Sequence, residues 1–209
     1  MKNYNNVPLS NNWVKVPNET TTCNSHVPCY NQFMYRSGSI FCMTCSPVAV
    51  EIIFYHDRNT KPNLIPELAS LNTNTIVPHN IRHLIPELRF YMGTYCESKT
   101  GYVYGATPKN IRHSRYYVAY QGYNVDSEYI TNENLNTYFQ TIKTNINQMP
   151  LIMDIENSDV AHSIVVYYNT YQNQVIVNAG PGWSANYEMD LFDFTLSMDT
   201  IQMTTMIIQ

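Results

Sequence analysis

Along the chain, the densest apolar pattern begins at Ser46-Pro47. Val48, Ala49, Ile52, Ile53 and Tyr55 occupy most of a helix's circumference, which predicts a helix to about Asp57 that is buried on all sides rather than amphipathic. Proline suits its first turn, where the missing N–H has no intrahelical partner to lose. Residues 80–92, 108–120 and 132–147 are expected to form three further short helices. In the first of these Ile81, Leu84, Leu88 and Tyr91 recur at helical spacing, with Pro86 expected to bend or split it. Thr107-Pro108 and Thr131 are expected to cap the other two.

After Met149-Pro150 the period changes to that of strands. Leu151–Ile155, His162–Asn169 and Gln174–Asn178 are β-rich, the last two joined by the polar turn 169–173, and Tyr187–Leu196 and Ile201–Ile208 supply more strands. Two short echoes, LIPEL at 64 and 84 and NIRH at 80 and 110, differ in spacing and do not make a repeat architecture. A buried helix, then more helices, then an antiparallel sheet is an α+β order, with a helical half facing a sheet half. Residues 1–26, rich in Asn, Thr and Pro, are expected to form an extended arm or edge strand, and 27–209 a single domain.

Composition narrows the function. The 209 residues suffice for one sizeable core. Only 13% are charged, so 18 Tyr with many Asn and Thr provide solubility. A net charge of -4 leaves no basic face for nucleic acid. No apolar run reaches the roughly 18–20 residues of a membrane span. Seven Gly without a phosphate-cradling loop argue against nucleotide-binding folds. The N-terminus has no apolar signal-peptide core, which leaves export open, and the low Lys and Arg content suits a secreted or cell-surface setting.

Chemistry enters through Cys45, directly before Ser46-Pro47 at the helix start. The positive end of the helix dipole and its unbonded N–H groups favour a thiolate there, and the thiolate is the nucleophilic form. His162 opens the strongest strand, and Asn178 ends the next one across a hairpin. Antiparallel neighbours can bring such positions together. An imidazole oriented by a polar group and facing a helix-capping thiol is the arrangement of cysteine nucleophilic catalysis.

In this layout the chain resembles papain-like cysteine peptidases, in particular a bacterial branch similar to the bacteriocin (double-glycine leader) processing peptidases. The resembling residues are Val27-Pro28-Cys29-Tyr30-Asn31-Gln32, Cys45-Ser46-Pro47-Val48-Ala49 with Ile52-Ile53-Phe54-Tyr55, and Met149-Pro150-Leu151-Ile152. Ala161-His162-Ser163-Ile164-Val165-Val166 and Val175-Ile176-Val177-Asn178 complete the set, in the family's order of Gln, Cys, His and then Asn or Asp. The resemblance implies a papain-like α+β fold and peptide or isopeptide hydrolysis, with Cys45 as nucleophile and His162 as general base and then acid. It also implies Asn178 as the residue orienting the imidazole and Gln32 as an oxyanion donor beside the Cys45 backbone N–H. No metal or organic cofactor is implied, and the partner is a peptide or protein substrate. Two positions depart from that branch: Thr44 stands where Gly is common, and Asn178 where Asp is common. Both bear on substrate range.

Other readings stay open at this level. Cys42-Met43-Thr44-Cys45 is a C-x-x-C before a helix, but disulfide exchange of the thioredoxin type also needs alternating strands and helices. Cys23, His26, Cys29, Cys42 and Cys45 could supply four zinc ligands, at spacings that match no standard knuckle. Metal there would consume the proposed nucleophile. With five cysteines in all, Cys42 could instead pair with Cys96 or an N-terminal cysteine, as the resemblance suggests. Asp154 and Glu156 fall on one face of a predicted strand and are expected at a solvated edge. Amidases and acyltransferases use the same dyad, and an inactive scaffold serving as a binding module or toxin component would keep the same layout.

Overall fold

The computed structural model describes residues 14–15, 35–37, 40–42, 45–65, 84–93, 111–131, 150–156, 161–171, 174–178, 187–190 and 200–209. A short strand β1 (Val14–Lys15) and a hairpin of β2 (Tyr35–Ser37) and β3 (Ile40–Cys42) precede helix α1 (Cys45–Asp57). Next come a 3-10 turn at Pro62–Leu64, helix α2 (Leu84–Met92), a second 3-10 turn at Arg112–Ser114, and helix α3 (Arg115–Tyr120). The remainder is β: β4 (Val125–Asp126), β5 (Tyr129–Thr131), β6 (Leu151–Glu156), β7 (Ala161–Tyr171), β8 (Gln174–Asn178), β9 (Tyr187–Asp190), β10 (Thr200–Thr205) and β11 (Ile207–Ile208).

Seven strands form one sheet in the order β1-β9-β8-β7-β6-β10-β5, every pair antiparallel. Part of the N-terminal arm is thus an edge strand, with Val14 opposite Glu188. At the centre, β6 and β7 pair without a break from Leu151↔Val166 to Glu156↔Ala161. Strict alternation is missing from β6 because both of its faces are covered: Leu151, Ile152, Met153 and Ile155 are all buried.

Helix α1 lies across β7 and β6. Its residues from Cys45 to Phe54 are all buried, as the all-round apolar pattern requires. Val48, Ile52, Ile53 and Phe54 pack in one core with Ile152 and Val165 of the sheet, Leu88 and Met92 of α2, and Tyr117 and Val118 of α3. Phe54 stacks on Tyr117, with centroids 5.6 Å apart. The Tyr117 hydroxyl donates to the Leu64 carbonyl at 3.0 Å, fastening α3 to the turn that follows α1.

The boundaries bear on several expectations. Helix α2 is described from Leu84, with Pro86 near the start of the described part; residues 80–83 of the expected helix lie outside the described residues. Thr131 is the last residue of β5, paired with Gln202, and the helix it was expected to cap lies outside the described residues. Helix α3 ends in a Schellman arrangement: Tyr123 N–H reaches the Val118 carbonyl and Gly122 N–H the Ala119 carbonyl, with Gly122 at φ 88°. The helix expected over 132–147 lies outside the described residues. No helix among the described residues is long and apolar enough to cross a membrane.

Candidate functional site

Cys45 is the first residue of α1 and is a buried thiol. Ser46-Pro47 follows in the first turn, so the thiol sits where unbonded N–H groups and the helix dipole act together. His162 is the second residue of β7, directly opposite Ile155, and is buried. Its neighbour Ser163 stands opposite Asp154.

These residues meet through hydroxyls. Ser46 Oγ lies 2.8 Å from Ser163 Oγ, joining the first turn of α1 to β7. Ser163 Oγ–H donates to Asp154 Oδ1. Cys45 Sγ lies 3.8 Å from Ser46 Oγ. A serine hydroxyl carries a single proton. With Ser163 spending its proton on Asp154, Ser46 donates to Ser163, which leaves Ser46 as the acceptor when Cys45 is a thiol. The chain Cys45–Ser46–Ser163–Asp154 therefore points every proton at the carboxylate.

Asp154 was expected at a solvated edge, and the structure corrects this. Strand β6 is central in the sheet. Asp154 as a residue is half-buried, but its Oδ2 is shut off from solvent and has no hydrogen-bond partner. Glu156, two residues on, is exposed as expected. Desolvation lifts the Asp154 carboxyl from 3.8 to about 8; the bond from Ser163 pulls it down, nearby Cys45 pushes it up, and His162 pulls it down. Asp154 thus lies within electrostatic reach of both Cys45 on α1 and His162 on β7. Sequence pattern alone missed Asp154 and Ser163. The signal was present in the run Leu151–Ile155, where an acid interrupts four apolar residues of a strand.

Asn178 is the last residue of β8 and pairs with Val165, three positions along β7 from His162. Gln32, Cys23, His26, Cys29 and Cys96 lie outside the described residues, and Cys42 ends β3. Among the described residues no three His, Cys, Asp or Glu side chains group as a metal site.

Elsewhere on α1, Glu51 is 1% exposed, and neither carboxyl oxygen has a hydrogen-bond partner. Burial alone raises its carboxyl well above the ordinary 4.5. It sits in the apolar core and belongs to no hydroxyl chain.

No family model matches the chain, and no curated protein matches it in sequence. Two solved structures are similar. The peptidase domain of Streptococcus ComA, a bi-functional ABC transporter involved in a quorum sensing pathway, is 15% identical, with a TM-score of 0.46 over 85% of this chain and 98% of that one. The active wild-type interpain A cysteine protease of Prevotella intermedia is 14% identical, with a TM-score of 0.57 over 91% of this chain and 98% of that one. A buried helix led by a cysteine, packed on an antiparallel sheet, gives this chain a papain-like α+β fold.

Proposed function

We propose that the protein is a cysteine peptidase that hydrolyses peptide or isopeptide bonds through a thioacyl-enzyme. The observation that carries this reading is the junction of α1 and β7. There a buried thiol at a helix N-terminus and the histidine of the facing strand both act on one carboxyl. In this mechanism the Cys45 thiolate attacks the substrate carbonyl, and the charge that develops on oxygen is met by the Cys45 backbone N–H and the Gln32 side chain. His162, as imidazolium, then protonates the leaving amine and afterwards takes a proton from the hydrolytic water. Asn178 orients the imidazole. Sparse charge on the chain suits a secreted or cell-surface enzyme acting on peptide or protein substrates.

The test is direct. Cys45→Ala should abolish cleavage of a peptide library while the thermal unfolding midpoint is kept. Iodoacetamide should label Cys45 selectively below about pH 7, where an unassisted thiol is inert, and His162→Ala should remove that labelling. Turnover that survives Cys45→Ala would end the mechanism. Amide or acyl-acceptor substrates turned over in place of peptides would identify an amidase or acyltransferase using the same dyad.

A further inference from the structure

Beyond Cys45 itself, the chain running through Ser46 and Ser163 to Asp154 lies outside the nucleophile, base and oxyanion set. It crosses the interface between α1 and the sheet, which Val48, Ile52, Ile152 and Val165 otherwise make apolar. Its orientation depends on the state of the sulfur. With a thiol, every proton points toward Asp154, as described above. A thiolate can only accept, and when Ser46 turns its proton to the sulfur, Ser163 turns its own to Ser46. Ser163 then needs a donor behind it, and Asp154 is the group in place once its acid proton sits on Oδ1, the oxygen that faces Ser163. A carboxylic acid can donate; a carboxylate cannot.

We propose that Asp154 is a positioning residue for Cys45, its carboxyl acting through the Ser163 and Ser46 hydroxyls to turn a donor toward the sulfur when the thiolate forms. This rests on the reading of Cys45 as the nucleophile. The environment of Asp154 fits the role: Oδ2 is shut off from solvent without a partner, so the neutral acid is the favoured form in the folded protein. Burial keeps it protonated up to about pH 8. The ionisable groups facing it are Cys45 from α1, His162 from β7 and, across β10, Tyr129 of β5. Above that pH the carboxyl loses its proton, and the carboxylate cannot donate and places a like charge beside the thiolate.

The experiment is the rate of Cys45 alkylation by iodoacetamide from about pH 5 to about pH 10, with mass-spectrometric mapping and a thermal melt for each variant. A hydrogen bond to a charged group predicts that Ser163→Ala and Asp154→Ala each slow labelling near pH 7 by about tenfold. Asp154→Asn, whose amide donates but never ionises, should restore the rate near pH 7 and lack the fall seen in the wild type above about pH 8. Superimposable profiles for wild type, Ser163→Ala and Asp154→Asn would overturn the proposal. So would Asp154→Asn as slow as Asp154→Ala, which would make the carboxylate a proton acceptor rather than a donor. The His162→Ala profile is read separately: labelling indifferent to His162 ends the peptidase reading, whereas indifference to Ser163 and Asp154 alone ends only this one.

Discussion

Replacing Asp154 by asparagine isolates the energetic cost of keeping an acid at the junction of α1 and β7. In the folded protein the carboxyl titrates at about 8, against an ordinary 3.8. Between those values the native state holds a proton that the unfolded chain has released. The sign follows: the contribution to stability is fully present below about pH 3.8 and is lost as pH rises toward about 8. At about 1.36 kcal/mol per pH unit, the loss accumulates to the order of 5 kcal/mol by pH 8, with relaxation around the charge bringing the measured value below that ceiling. Asparagine has nearly the shape of the neutral acid and does not titrate. Near pH 4 the variant and the wild type should therefore unfold at similar urea concentrations, and the variant should gain steadily above that. Glu51 adds a slope of the same sign to both proteins, so the difference between them reports Asp154 alone. The assay is urea unfolding, followed by circular dichroism at about pH 4, 6 and 8. Parallel curves, with a constant difference at all three pH values, would refute the reasoning, since they would mean that Asp154 ionises in the folded state as it does in water.

Three further outcomes are expected. Glu51→Leu removes a buried carboxyl without partners and should raise the thermal midpoint, more at about pH 8 than at about pH 5, because the raised carboxyl of Glu51 costs the folded state more as pH rises. Tyr117→Phe leaves the Leu64 carbonyl without its donor and should lower stability by about 1–2 kcal/mol in urea unfolding, with the ring stack on Phe54 kept. Gly122→Ala should cost about 1 kcal/mol by the same assay, from φ alone, since an added Cβ would meet nothing within 4 Å.

Much of the fold could be read from side-chain periodicity, because burial acts directly on it. The apolar circumference over residues 48–55 predicts a helix without a wet face, and α1 is that helix. The run Gln174–Asn178 forms β8, as a short stretch enriched in β-branched residues favours. Strand β7 runs on to Tyr171, through register irregularities beyond Tyr167, where the composition suggested a turn from Asn169. Ladder pairing with β8 carries the polar residues along, which no local propensity encodes. The two- and three-residue strands β4 and β5 are too short to show a period, and they exist only because Ile207–Ile208 and β10 present them with edges. The places of Cys45 at a helix start and of His162 near a strand start were legible in the sequence. Asp154 was legible as an acid but not as a buried one, because its burial is decided by its strand lying between β7 and β10.

The placement of the hydroxyl chain follows from a weakness of α1 as a structural element. An apolar helix buried on all sides packs against a sheet through contacts of nearly equal worth one turn along, so apolar packing alone sets its position loosely. The proposed role of Cys45 at the tip of such a helix needs its position along the axis fixed to a fraction of that distance. Ser46, bonded to Ser163 at 2.8 Å, marks one position for α1 on β7, and a shift by a turn would break that bond while the Ser163–Asp154 bond within the sheet is kept. That penalty makes the polar seam a register device, in the sense that a single buried polar residue fixes the register of a coiled coil. The same seam holds a carboxyl whose ionisation the fold opposes. A substitution such as Asp154→Ala can then leave the protein more stable at alkaline pH while loosening the sulfur it positions, which is the trade expected where a site is built from groups that the core would otherwise exclude.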